Sequence, residues 1–149
     1  MTIRKVLTSS AIALVLGLGL TTGGSVAEAG GNKAWLEQFG SGNAAGIGQR
    51  GYGNRTSVYQ YGRGNTTIST QDGYGNRTVI GQGGRGNYAD SYQRGSRNVT
   101  GIAQFGSRNS ATTTQVGRGN AVGVIQGGHG NSATANQYGS GNVGVIVQD

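Results

Sequence analysis

Reactive groups are few and scattered. After residue 30 the side-chain carboxylates are Glu37, Asp72, Asp90 and Asp149, and His129 is the single histidine. Paired acid–base catalysis needs two such groups converging on one substrate, and these four fall far apart in the chain. His129 lies between Gly128 and Gly130, which reads as an exposed turn residue rather than a metal ligand. Cysteine is absent, which excludes disulfides, thiolate zinc sites and a cysteine nucleophile. No glycine-rich turn ends in the Gly-Lys-Ser/Thr of a phosphate loop. The turns also lack the repeated Asp of a calcium-binding β-roll. The expectation is no catalytic residue, no metal ligand and no cofactor.

The side chains with a regular spacing are amides, and their chemistry is hydrogen bonding. Gln occurs every eleven residues, at Gln38, Gln49, Gln60, Gln71, Gln82, Gln93, Gln104, Gln115, Gln126, Gln137 and Gln148. Five residues after each of the first ten stands an Asn: Asn43, Asn54, Asn65, Asn76, Asn87, Asn98, Asn109, Asn120, Asn131 and Asn142. Two residues after each of those Gln stands a Gly: Gly40, Gly51, Gly62, Gly73, Gly84, Gly95, Gly106, Gly117, Gly128 and Gly139. A second Gly usually precedes the Asn, but Arg97 and Arg108 replace it in two units. A primary amide both donates and accepts, so stacked Gln and Asn can satisfy one another along a column.

These amides need elements that hold them in register. From Asn to Gln, alternate residues share one character, as in Asn76, Thr78, Ile80 and Gln82, which predicts a strand with one buried face. From Gln to Asn, the two glycines predict a tight turn. Each unit is then one strand and one turn. Two successive units make one coil, as from Gln38 to Tyr59. Inward pairs alternate in size: Ala45/Ile47, Thr67/Ser69, Ala89/Ser91, Ala111/Thr113 and Ala133/Ala135 face Thr56/Val58, Thr78/Ile80, Thr100/Ile102, Val122/Val124 and Gly144/Ile146. Ile47 is the exception to the small set. The fold class is all-β: a two-sheet β-solenoid of five coils, roughly 24 Å tall at about 4.8 Å per coil.

Composition agrees. The chain has 32 Gly in 149 residues and no Pro, so neither collagen nor a proline-rich linker fits. Large aliphatics are too sparse for an ordinary core, so backbone bonds between coils and amide ladders must carry much of the fold. Trp35 and Leu36, in a short segment 30–37 before the array 38–149, form only a thin cap. Open strand edges at both ends recruit other chains, and an interface that does not close grows into a filament. Before assembly the chain is expected to be largely disordered.

Residues 1–29 read as a secretory signal peptide. Arg4 and Lys5 precede a mostly apolar run over 6–20, and Ala27-Glu28-Ala29 matches a signal-peptidase site with cleavage between Ala29 and Gly30. No later segment is apolar enough to span a membrane, so the product is expected to be exported and extracellular. Net charge is +7 for the whole chain. Nine Arg lie in the array. Arg63, Arg85, Arg97, Arg108 and Arg118 fall at turns, flanked by Arg50, Arg55, Arg77 and Arg94. They align into basic edges that keep the unassembled chain soluble or hold polysaccharide, anionic lipid or extracellular DNA. Asp72 and Asp90 face solvent as surface acids or as gatekeepers against aggregation. Outward aromatics Phe39, Tyr61 and Phe105 share one column. Thr columns broken by Tyr88, Asp90 and Tyr92 argue against an ice-binding face.

Ten copies of Gln-x-Gly-x-x-Asn with the following alternating strand resemble the curlin repeat, over Gln38–Gln148. The resemblance implies a secreted, non-enzymatic subunit of curli, the functional amyloid of bacterial biofilms, that stacks end to end into cross-β fibres. It implies self-association, a second curlin subunit and an outer-membrane secretion pore as partners, possible polyanion or host-surface ligands, and no specific nucleic acid. The intact last unit, Asn142 to Gln148, favours the major fibre subunit over the minor nucleator. A soluble ligand-binding solenoid is the remaining alternative.

Overall fold

A computed structural model describes residues 10–16 and 24–149. Arg4, Lys5 and part of the apolar run lie outside the described residues. The described chain is strands and turns: β1 (Ser10–Leu16), β2 (Gly24–Ala29), β3 (Asn32–Ser41), β4 (Ala44–Tyr52), β5 (Arg55–Arg63), β6 (Thr66–Tyr74), β7 (Arg77–Arg85), β8 (Tyr88–Ser96), β9 (Val99–Ser107), β10 (Ser110–Arg118), β11 (Ala121–Gln126), β12 (Ser132–Ser140) and β13 (Val143–Gln148). No helix among the described residues is long and apolar enough to cross a membrane.

Strands alternate between two parallel sheets. One runs β4-β6-β8-β10-β12 and the other β13-β11-β9-β7-β5-β3. Register is set by the repeat: each residue pairs with its counterpart one coil on, so Gln60 lies on Gln82 and Gln71 on Gln93. A slip of one residue turns every inward side chain outward, so the buried face locks this register. The two sheets pack face to face as a β-solenoid of 22 residues per coil, the separation of the hydrogen-bonded Gln60 and Gln82. Between the facing sheets lies a narrow core of Val58, Ile80, Ile102 and Val124 on one side and Ala45, Ala89, Ala111 and Ala133 on the other. Ile47 is buried among them at 3% exposure. Larger groups on one sheet meet smaller ones on the other, which fills the space between them.

Two differences from the sequence reading follow from local geometry. The strands run past Gln into the turn, as β7 continues through Gly83 and Gly84 to Arg85, so each bend is confined to about the last Gly and the Asn. The array also starts earlier than Gln38. β3 begins at Asn32, eleven residues before Asn43, and puts Ala34 and Leu36 inward at 6% and 5% exposure while Trp35 points out. Segment 30–37 therefore supplies the turn at Gly30 and Gly31 and the first six residues of β3 rather than a cap over the end.

The N-terminal edge is covered by antiparallel strands. β2 pairs with β3, and β1 with β4, in contrast to the parallel array. Gly30 and Gly31, at φ 58° and 71°, make the tight turn from β2 into β3.

Candidate functional site

The Gln side chains form two continuous ladders, one per sheet. Nε2 of each Gln donates to Oε1 of the Gln 22 residues on, at 2.6–2.8 Å from Gln38→Gln60 to Gln126→Gln148. The second amide hydrogen crosses to the facing sheet. Gln60 Nε2, for example, donates to the Ala44 carbonyl at 3.0 Å, and Gln82 Nε2 to that of Thr66 at 3.0 Å. Thr hydroxyls complete the pattern, with Thr67 Oγ1 donating to Gln82 Oε1 at 2.9 Å. Gln60, Gln71, Gln82, Gln93, Gln104, Gln115 and Gln126 are buried at 1% exposure or less. An aliphatic could fill that volume but would leave its neighbours' amides unpaired, which costs about 1–3 kcal/mol per buried group.

The Asn residues work differently from the expected amide column. Asn54 Oδ1 accepts from the backbone N–H of Asn76 at 3.0 Å. Its Nδ2 donates to the Arg50 and Gly73 carbonyls, each at 2.9 Å. The side chain thus closes its own turn and ties it to the turn of the next coil. Direct Asn amide–amide bonds occur from Asn98 to Asn76, Asn120 to Asn98 and Asn142 to Asn120, at 3.0–3.2 Å. Asn32 belongs to the same set: it donates to the Gly51 carbonyl at 2.8 Å and accepts from Asn54 N–H at 2.9 Å. The eleven-residue spacing back from Asn43, with Ala34 and Leu36 between, was the signal for it.

The two glycines of each turn have separate reasons. Gly84 sits at φ 116°, and a Cβ there would overlap the carbonyl oxygen of Gly106 in the next coil. The same overlap holds for Gly40, Gly51, Gly62, Gly73, Gly95, Gly106 and Gly117. Gly86 sits at φ 67°, and a Cβ there meets nothing closer than Arg108 Cγ at 4.0 Å. The second position therefore demands only a left-handed backbone, which a side chain can adopt at modest cost. That is why Arg97 and Arg108, at φ 56° and 57°, stand there and never at the first Gly.

Outward columns are less regular. Phe39 and Tyr61 stack with ring centroids 5.2 Å apart and planes 5° apart, and Tyr52 and Tyr74 stack at 6.0 Å. Phe105 does not extend the first pair, because Gly83 lies between it and Tyr61 in register. Tyr61 Oη donates to Glu37 at 2.9 Å, and that bond, aided by slight burial and the carboxylate's charge, raises the phenol's pKa. Asp72 sits in register between Arg50 and Arg94. Asp90 is half-buried between coils, and desolvation raises its pKa against a hydrogen bond from Tyr88 that lowers it. The Thr columns are interrupted, since Thr66 pairs with Tyr88 and Thr70 with Tyr92.

The ladders are incomplete at the ends. Gln49 Oε1 is the buried side-chain polar atom, among the described residues, that lacks a hydrogen-bond partner. In the interior, Gln71 Oε1 accepts from Gln49 and Gln82 Oε1 from Gln60, each one coil earlier. On the covering strand β1 the residue in register with Gln49 is Ala11, which has no amide to offer. At the other end Gln137 Nε2 donates to the Ala121 carbonyl and Gln148 Nε2 to that of Ser132. Each has one amide hydrogen left after that bond.

Residues 84–117 and 106–139 each match the family model described as Curlin associated repeat. None of the curated proteins matches the chain. The second matched stretch starts one coil after the first, the same step that carries Gln82 to Gln104 along its ladder. In-register Gln ladders, Asn-clamped turns and glycines pressed on the next coil are how this sequence builds the unit, and over residues 84–139 that unit is similar to the Curlin associated repeat.

Proposed function

We propose that the chain is a structural, non-enzymatic subunit that stacks end to end into extracellular curli-like amyloid fibres, as the major fibre subunit. The observation that carries the reading is the pair of incomplete ladder ends. The β12/β13 face offers open parallel strand edges and unused amide hydrogens on Gln137 and Gln148. The β3/β4 face offers the orphan Gln49 Oε1. Continuing the chain's own winding past β13 seats β3 of a second copy over β12 and its β4 over β13. Gln148 Nε2 then reaches the incoming Gln49 Oε1, which completes the ladder.

This stacking needs β3 and β4 uncovered. Cleavage between Ala29 and Gly30 falls at the β2–β3 turn and releases both covering strands, so export and activation become one event. Secretion through an outer-membrane pore, a nucleating second subunit, surface adhesion and a role in biofilm follow from the curlin likeness. A minor nucleator subunit is the second reading, and the intact last unit, ending at Gln148, weighs against it.

The test is fibre diffraction and seeding with the chain starting at Gly30, diluted from denaturant. Filaments that seed fresh protein and reflect near 4.7 Å and about 10 Å are expected. A soluble monomer that never seeds would overturn the reading.

A further inference from the structure

The two turn edges of the solenoid carry different chemistry. On the edge that follows β5, β7, β9 and β11, a groove of about 760 Å³ is lined by Arg63, Arg85, Arg108, Ser107 and His129 over a glycine floor. No carboxylate lines it. The guanidinium groups of Arg63, Arg85 and Arg108 make no hydrogen bond or ion pair with the described residues. Arg63 and Arg85 therefore stand unpaired in register, one strand spacing of about 4.8 Å apart, and Arg108 stands on the next coil, one residue past Ser107, which is the position in register with Arg85. Such a column repels itself unless anions lie along it. Arg108 stands at φ 57° in the second turn position, as Arg97 does at φ 56° on the opposite edge. Ser107 Oγ lies 2.7 Å from His129 Nδ1, which fixes a polar rim at the groove's end.

We propose that this edge binds a linear acidic polysaccharide, with one carboxylate held by each arginine. Arginine forks pair with carboxylates in two parallel hydrogen bonds, and Arg63 and Arg85 in file, with Arg108 one residue aside on the next coil, line one groove that fits one extended polyanion. Single-stranded nucleic acid is disfavoured because His129, already held by Ser107, is the single ring among the lining residues, so successive bases have no series of rings to stack on. The inference does not depend on fibre formation, since the groove lies within one chain.

Titration calorimetry of the full chain with alginate oligomers, on protein whose strand content circular dichroism has established, tests it. Arg63→Ser with Arg85→Ser keeps the repeat's own grammar, because Ser41 and Ser107 occupy the same turn position. This pair should weaken binding about tenfold or more, while Arg97→Gly with Arg118→Ser on the opposite edge should stay within about twofold. Both pairs remove two charges, and circular dichroism checks that strand content is kept. Equal losses in both pairs would reduce the effect to net charge and overturn the site. Tighter binding of a DNA oligomer of equal charge, lost in the same variant, would overturn the polysaccharide assignment.

Discussion

In β3 the inward Asn32, Leu36 and Gln38 are all buried to 6% exposure or less, while the matching Asn142, just before β13, is exposed and Ile146 and Gln148 of β13 are half-buried. The outward Val143, Val145 and Val147 of β13 are 78%, 68% and 60% exposed. The two ends carry the same unit, so the unit itself does not bury its own side chains. Burial comes from the neighbouring strands: β1 and β2 lie on the first coil, and nothing lies on β12 and β13 among the described residues. An array of this kind is stable inside and unfinished at an open face, as expected when each repeat contacts only its neighbours.

The sharpest way to probe that contrast is one substitution placed at both sites. Gly84→Ala drives a methyl into the Gly106 carbonyl and should prevent the array from folding, read as loss of the β signal in circular dichroism. Gly139→Ala meets only Asn142 Nδ2 at 3.8 Å. It should cost the single chain about 1 kcal/mol from its φ of 101°. In a fibre, however, that methyl faces the first turn of the next copy, so elongation should stop. Normal growth of Gly139→Ala fibres would break the proposed docking.

Removing the cover is the next largest effect. The chain starting at Gly30 should elongate seeds, and the chain retaining β1 and β2 should not, in a thioflavin assay at equal concentration. Equal growth would mean that the antiparallel strands do not guard the edge.

The ladder gives a smaller contrast. Gln82→Ala leaves partners on Gln60, Thr67 and Gln104 unpaired, and a loss of about 3 kcal/mol or more is expected in denaturant unfolding. Gln148→Ala unpairs only Gln126 among its acceptor contacts, so stability should fall by about 1 kcal/mol while elongation slows markedly. Equal effects of the two changes on growth would remove the templating role of the end.

The smallest expected effect is at Asp90. Desolvation raises its pKa in the folded chain, so the folded state binds its proton more readily than the unfolded state. Stability is then greatest below the unfolded carboxylate pKa and declines as pH rises through the folded value. Asp90→Asn should be slightly more stable than the parent at neutral pH and equal to it in acid, as read from denaturation midpoints. The opposite pH trend would place Asp90 in an attractive charge contact instead.

Much of this architecture was legible in the residues alone. Gln every eleven residues, with Asn five later, sets coil length and register, because a period-two face with one polar rung can be buried in only one way. The paired sizes of Val58 or Ile80 and Ala89 or Ala111 also told which strands face each other. The Asn chemistry was not legible, since a side chain's choice between a neighbour's amide and a nearby carbonyl depends on turn geometry. In sequence the second Gly gives way to Arg97 and Arg108 and the first never does, but the residues alone do not say why. Only coil-on-coil contact separates Gly84, which has a carbonyl against it, from Gly86, which has open space. Asn32 was overlooked because its unit lacks the preceding Gln, although Ala34 and Leu36 keep the pattern. Sequence by itself determined the repeat and what lies inward, since those follow from periodicity along one chain. Tertiary structure decided which atoms each amide meets, which arginines share a groove and which end is covered, because those depend on distances between coils that a linear pattern does not contain.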